Sequence, residues 1–197
     1  MGQQSTRMST PPTSEADTST MSGRPDMSTQ STSSTSPTPS TPPPSVRSNN
    51  TVKDLDLERY MGRWYEIAKY DNPWEKDCNH VTADYTLLSD GTVRVINSCY
   101  DIAGDLLSRG RGIATVPDPD NTGALIVKFS DSPPGEYNVY WTDYNYAIVG
   151  GQYLWILSRY PDIVDRHLVE LLEIVADIGY DPDKLIAIHD DVVIHSG

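Results

Sequence analysis

The sequence predicts a mainly β domain: a sandwich or closed barrel of short antiparallel strands, with one helix packed on its outside. Three observations carry this expectation. From residue 62 onward, short runs rich in β-branched and aromatic residues alternate with turn residues at near-even spacing. One apolar stripe at helical spacing follows them near the C-terminus. The N-terminal quarter holds nothing that could join a core.

The first strand-like run is GRWYEIAKYDN (62–72), after a helical turn at DLERYM (56–61). VTADYTLL (81–88) and TVRVIN (92–97) flank Ser89-Asp90-Gly91, a hairpin loop with glycine where positive φ is needed. That loop pairs Tyr85 with Val95 and Ala83 with Asn97. Val81, Ala83, Tyr85, Leu87, Val93, Val95 and Asn97 then share one face, and Asp84, Thr86 and Arg94 the other. RGRGIATV (109–116), ALIVKFS (124–130), EYNVYWT (136–142), YAIVGG (146–151) and YLWILSR (153–159) bring the strands to eight. The helix is predicted to start at an Asp162 N-cap after Pro161 and to end before Gly179. Its stripe is Val164, Leu168, Leu171, Leu172, Val175 and Ile178, fit to pack on the sheet. LIAIHD (185–190) reads as a last strand.

Residues 1–50 hold 23 Ser or Thr and 8 Pro, and no Trp, Tyr, Phe, Leu, Ile, Cys or His. Such a segment buries too little apolar surface to offset its ordering entropy, so it reads as a disordered tail. Residues 51–197 are the length of one domain. The first six residues fit M-G-x-x-x-[ST], an N-myristoylation pattern with Gly2 as acceptor. One acyl chain would give only marginal, peripheral membrane association. The net charge of -13 lies wholly in residues 51–197, which carry 12 Lys+Arg against 25 Asp+Glu. With no basic stripe, nucleic acid is excluded as a partner class. No apolar run reaches ~18 residues, so no transmembrane helix is expected. Nor does the N-terminus carry the apolar core of a secretory signal. His80, His167, His189 and His195 show no metal-ligand spacing, and no nucleotide or haem motif appears, so no cofactor is implied.

Gly62-Arg63-Trp64-Tyr65, on the first strand after a helical turn, resembles the G-x-W motif of the lipocalins. Thr142-Asp143-Tyr144, ending the sixth strand, resembles their second motif, T-D-Y. Arg159, ending the eighth, resembles their third. YMGRWYEIAKYD and YLWILSRYP further resemble the bacterial outer-membrane, plant temperature-induced and apolipoprotein D branches. The resemblance spans about residues 53–190. It implies an eight-stranded antiparallel up-and-down barrel with the helix outside. Gly62, Trp64, Thr142, Asp143, Tyr144 and Arg159 would be structural: Trp64 plugs one end, and Arg159 lies on its indole while donating to nearby carbonyls.

A barrel of this size encloses one small ligand, so the inward face matters. Period 2 from Trp64 turns Glu66, Ala68 and Tyr70 inward, and from Arg159 it turns Leu157, Trp155 and Tyr153 inward. Ala83, Tyr85, Val95 and Asn97 come from the second and third strands. Alternation in EYNVYWT fits both phases; the phase taken puts Asn138 and Tyr140 inward, with Val139 and Trp141 outward. Glu66 would bond to Asn138 at the bottom of the cup, with a raised pKa. The lining suits a small hydrophobic ligand, a fatty acid or lysophospholipid by resemblance, held in a membrane-lipid maintenance or stress role. Two alternatives are an isomerase-like enzyme on the same barrel, which needs a free thiol in the cavity, and an interaction module. The strand register places Cys99 opposite Val81 and leaves Cys78 three residues out of line. From the register alone, a disulfide and two thiols both stay open. The resemblance implies the Cys78–Cys99 disulfide, and with it the cell envelope or a membrane-associated site. Oligomeric state is not indicated.

Overall fold

The protein is described by a computed structural model over residues 50–130 and 132–188. The tail with Gly2, His189, His195 and the end of the predicted last strand lie outside the described residues. A single helical turn, α1 (Leu57–Tyr60), precedes β1 (Gly62–Tyr70). Then come β2 (His80–Leu87), β3 (Val93–Tyr100), β4 (Leu106–Thr115), β5 (Ala124–Phe129), β6 (Gly135–Thr142), β7 (Tyr146–Gly150) and β8 (Leu154–Ser158). Helix α2 (Asp165–Asp177), a 3-10 turn at Pro182–Lys184 and β9 (Leu185–Ala187) complete the domain.

Strands β1 to β8 are each antiparallel to the next, and β1 pairs with both β8 and β2, so the sheet closes into a barrel. Closure removes the free strand edges. The hairpin register is the one that the three-residue turn dictates, Tyr85 opposite Val95 and Ala83 opposite Asn97. Strand β3 runs past Asn97 to Tyr100, and this longer pairing draws the start of β4 back to Leu106 rather than Arg109.

A bulge in β1 and the opposite phase in β6 correct the inward face expected from alternation. In β1 the register against β8 shifts between Glu66 and Ala68. Here β1 also changes partner, from β2 at Gly62–Tyr65 to β9 at Ala68–Tyr70. The extra residue turns Ile67 and Ala68 both outward and turns Lys69 in. Ala68 and Tyr70 therefore belong to the outer layer, not to the cup. In β6 the shift falls between Val139 and Trp141. Val139 and Tyr137 point into the barrel, while Tyr140 and Trp141 join the outer layer. Asn138 stands with them, donating to the Tyr140 hydroxyl at 3.4 Å.

Helix α2 packs Leu168, Leu171 and Val175 onto Ile67, Ala68, Tyr140, Ile148, Leu154 and Ile156 outside the barrel. Its N-cap is Val164 in extended backbone, not Asp162, and no side chain caps it. Val164 is exposed, so the buried stripe is narrower than the sequence pattern. Gly179 follows the helix at φ +92°, the left-handed C-terminal position that glycine favours. The Tyr180 hydroxyl reaches back to Tyr140 and to the carbonyl of Gly151, fastening the end of the helix to the wall.

The closed end is organised around one cation. Arg159 lies 3.7 Å over the fully buried Trp64 indole. Its guanidinium donates to the carbonyls of Arg63, Arg59, Tyr60 and Tyr144 at 2.9–3.2 Å. Trp64 Nε1 donates to the Tyr60 carbonyl at 2.9 Å. Gly62 has φ +97°, and a Cβ there would stand 3.4 Å from the Arg159 guanidinium. Thr142 Oγ1 donates to the Tyr146 carbonyl and accepts from Tyr144 N, while Asp143 accepts from the amides of Asn145 and Tyr146. These bonds hold the β6–β7 turn, in which Tyr144 takes φ 70°.

Truncating Trp64 to Ala should cost ~3–5 kcal/mol, the usual range for a buried aromatic. Arg159→Ala should cost less, and because the two groups touch, the double variant should cost less than the sum of the singles. Urea unfolding of the four proteins checks this; simple additivity would refute the stacked pair.

Candidate functional site

Inside the barrel two zones differ in chemistry. The lower zone is apolar: Trp64, Ala83, Val93, Val95, Ala114, Leu125, Val139, Ala147, Val149 and Leu157 pack together. Three tyrosine hydroxyls stand in it. Tyr137 is 2.9 Å from the Tyr60 hydroxyl and 3.0 Å from that of Tyr85, so the three satisfy one another in a dry setting. Burial pushes all three phenol pKa values up, keeping them neutral. The void left among these side chains is about 20 Å³. That is about one probe sphere, the least that can hold a water molecule.

The upper zone is polar and lies under the β1–β2 loop. Lys69 donates to the Glu75 carboxylate at 3.1 Å and to the Glu75 carbonyl at 3.0 Å. Asn72 Nδ2 (2.6 Å) and Trp155 Nε1 (3.3 Å) donate to the same oxygen, Glu75 Oε2. Glu75 is thereby held as an acceptor of three donors. Glu66, 4% exposed, faces this group from β1. Burial raises its pKa well above the ordinary glutamate value, and the Glu75 charge adds to this; the Lys69 ammonium only partly opposes them. Glu66 Oε2 and Asn97 Oδ1 are buried without a hydrogen-bond partner.

Of the residues expected to line the cup, Ala83, Tyr85, Val95, Trp155 and Leu157 pack in or against the interior cluster. Asn97 shares their face, between Ala83 and Gly110 in register. Tyr153 sits at the rim with its ring edge-on to Trp74, 5.2 Å between centroids. Ala68, Tyr70, Asn138 and Tyr140 are elsewhere, as described. The expected Glu66–Asn138 bond is replaced by Glu66–Glu75, because Asn138 faces outward toward Glu136 and Tyr140. Lys69, Glu75, Asn72, Tyr137 and Phe129 are interior or rim groups that the sequence pattern did not single out. The adjacent apolar pair Ile67-Ala68 was the one signal that alternation breaks in β1.

The wall is incomplete on one side. Strand β5 pairs only with Gly112–Thr115 of β4, so the upper half of β4 has no neighbour there. Phe129 fills part of this gap: its ring lies 3.5 Å from where a Gly110 Cβ would be and 3.0 Å from a Gly112 Cβ. Cys78 and Cys99 form a disulfide with Cα atoms 5.3 Å apart. The β1–β2 loop is thus pinned to β3, and both cysteines of the chain are used. Among the described residues, no group of three or more His, Cys, Asp or Glu could hold a metal ion.

A closed eight-stranded antiparallel cup, plugged at one end and floored by a stacked Trp–Arg pair, defines the class. The Lipocalin-like domain model matches residues 55–190. Outer membrane lipoprotein Blc of Citrobacter freundii is 39% identical over 150 residues, covering 74% of this chain and 83% of the relative. Temperature-induced lipocalin-1 of Arabidopsis thaliana is 38% identical, covering 68% and 78%. Mouse (Mus musculus) apolipoprotein D is 31% identical, covering 73% and 79%. Insecticyanin from the tobacco hornworm Manduca sexta superposes with a TM-score of 0.58 at 24% identity, over 70% of this chain and 82% of its own, which speaks for the fold. The chain belongs to the lipocalin family.

Folding takes up a proton at Glu66, because its folded pKa lies above the unfolded value of about 4.5. That contribution is fully present below the unfolded value and is lost as pH rises through the folded one. Between about pH 5 and pH 8 the wild type should therefore lose more stability than Glu66→Gln. Urea unfolding at both pH values tests this; parallel losses would show that Glu66 is not the group responsible.

Proposed function

We propose that this protein binds and carries or stores a small hydrophobic ligand in the barrel. The class we infer is an acyl-chain amphiphile, a fatty acid or lysophospholipid, handled at the cell envelope in membrane-lipid maintenance or stress. The observation that carries the reading is the division of the interior: an apolar floor below, a polar group at the mouth, and a gap in the wall beside Phe129. That order matches a molecule with a chain and a head. Family membership supports the coarse part, and the names of the bacterial relatives, outer membrane lipoproteins, support the envelope.

The chain would gain ~0.8 kcal/mol for each methylene taken from water. A void of about 20 Å³ cannot hold it. Ligand sites run to ~300–1,000 Å³, so binding requires side chains to move. Phe129 is half-buried against the apolar zone, and its ring makes no hydrogen bond that movement would break. The isomerase-like alternative needs a free thiol, and the disulfide leaves none, so we carry it no further.

Titration with lipids of fourteen to eighteen carbons should change tryptophan fluorescence, and most of the change should vanish in Trp155→Phe. Trp74 is 67% exposed and Trp141 lies in the outer layer, so both should contribute little. If wild-type fluorescence is unaltered and no apolar probe is displaced, the carrier reading fails. Mass spectrometry of an extract of the purified protein would name the lipid class.

A further inference from the structure

The two buried oxygens of the cup that lack partners, Glu66 Oε2 and Asn97 Oδ1, are both positioned to accept. Glu66 stands on β1 with Trp64, and Asn97 on β3 beside Ala83, which itself pairs with Trp64. Both therefore belong to the β1–β2–β3 wall. The described donors of this zone are directed elsewhere: the Lys69 ammonium, the Trp155 indole N–H and Asn72 Nδ2 all point at Glu75. A buried polar atom left unpaired costs about 1–3 kcal/mol, so this wall is incomplete as it stands.

Resting on the carrier reading above, we propose that the head group received at the mouth is a hydrogen-bond donor, a protonated amine, seated against Glu66 and Asn97. The charges facing this point are two carboxyls, Glu66 and Glu75, against one ammonium, Lys69. An ammonium balances that set; a fatty-acid carboxylate would be a third acid facing one lysine already bound at 3.1 Å. Lys69 is held by Glu75, so an ammonium would meet Glu66 in its ionised form and supply the cation that this second carboxylate lacks. The net charge of -13 adds a long-range attraction for cations. Of the two lipid classes proposed, this disfavours a free fatty acid, whose ionised head carries no donor.

The test uses the full chain and three ligands of equal chain length: tetradecylamine, tetradecanoate and methyl tetradecanoate. Each is titrated below its micelle concentration, near neutral pH, by displacement of diphenylhexatriene from wild type, Glu66→Gln and Lys69→Met. The amine should bind wild type about tenfold more tightly than the acid, the scale of one charge-assisted hydrogen bond. Glu66→Gln should bring the two within about twofold while leaving the ester unchanged, and the unchanged ester shows that the variant is folded. An acid that binds as tightly as the amine, or binds best and is lost in Lys69→Met, overturns the proposal. So does an amine preference that survives in Glu66→Gln; equal affinities for all three would mean that only water fills this corner. If neither the ester nor the probe binds wild type, the carrier reading falls as well, and this inference with it.

Discussion

The fold depends on satisfying the backbone at one end of the barrel. An eight-stranded cylinder has two open ends, and at the closed one the carbonyls of Arg59, Tyr60, Arg63 and Tyr144 converge beside the buried Trp64. One planar guanidinium answers all four and also covers the indole face. Lysine could not, because a point ammonium lacks the fork and the flat face. The chain before α1 reinforces the same end. Val52 donates to the Val139 carbonyl, Gly123 N donates to Val52, and Thr122 Oγ1 donates to the Leu55 carbonyl. With the floor closed in this way, the other end is free of structural duty and can carry chemistry.

What faces that chemistry is decided by one extra residue in β1. A bulge costs a ladder bond locally, yet it changes the facing of every residue beyond it. In β1 it falls where the strand exchanges β2 for β9, so the wall is re-aimed at the point where its neighbour changes. Ala68 and Tyr70 go to the helix layer and Lys69 turns in. Without the bulge, Glu66 would face an apolar interior with no cation at hand. In β6 the phase that puts Tyr137 and Val139 inward sends Tyr140 out to meet Tyr180, and the bulge after Val139 keeps Trp141 out beside it. The β1 bulge and the β6 phase thus build the helix contact and the interior polar groups together.

The β1 bulge and the ambiguous phase of β6 mark the boundary of what could be read from the amino-acid sequence. The strand series, the hairpin register at Tyr85 and Val95, the outer helix and the stacked Trp64–Arg159 pair all follow from local rules: period, turn chemistry and motif. The inward set followed only as far as alternation held. Ala83, Tyr85, Val95 and Leu157 lie on unbroken runs and face in; Ala68 and Tyr70 lie beyond the β1 bulge, and Asn138 and Tyr140 lie on a run whose alternation fits both phases, of which the structure takes the other. A bulge leaves no fixed residue signature, since it depends on how the neighbouring strand is staggered. Glu75 was hidden for another reason: it comes from an irregular loop, whose side chains have no period to read.

The mouth is consequently asymmetric, and that constrains how anything reaches the interior. On the β1–β3 side the loop is tied three ways: the disulfide to β3, Asn79 N donating to the Tyr100 carbonyl, and Glu75 to Lys69 and Trp155. Moving it would break a covalent bond or strip a buried ion pair, which costs several kcal/mol. On the opposite side the upper half of β4 has no β5 partner, and inward Gly110 and Gly112 offer no side chain against the Phe129 ring. A single ring rotation there breaks no hydrogen bond or ion pair. For the ligand proposed above, the side with least resistance to entry is therefore the one at Phe129, and the fixed side is the one where Glu66 stands.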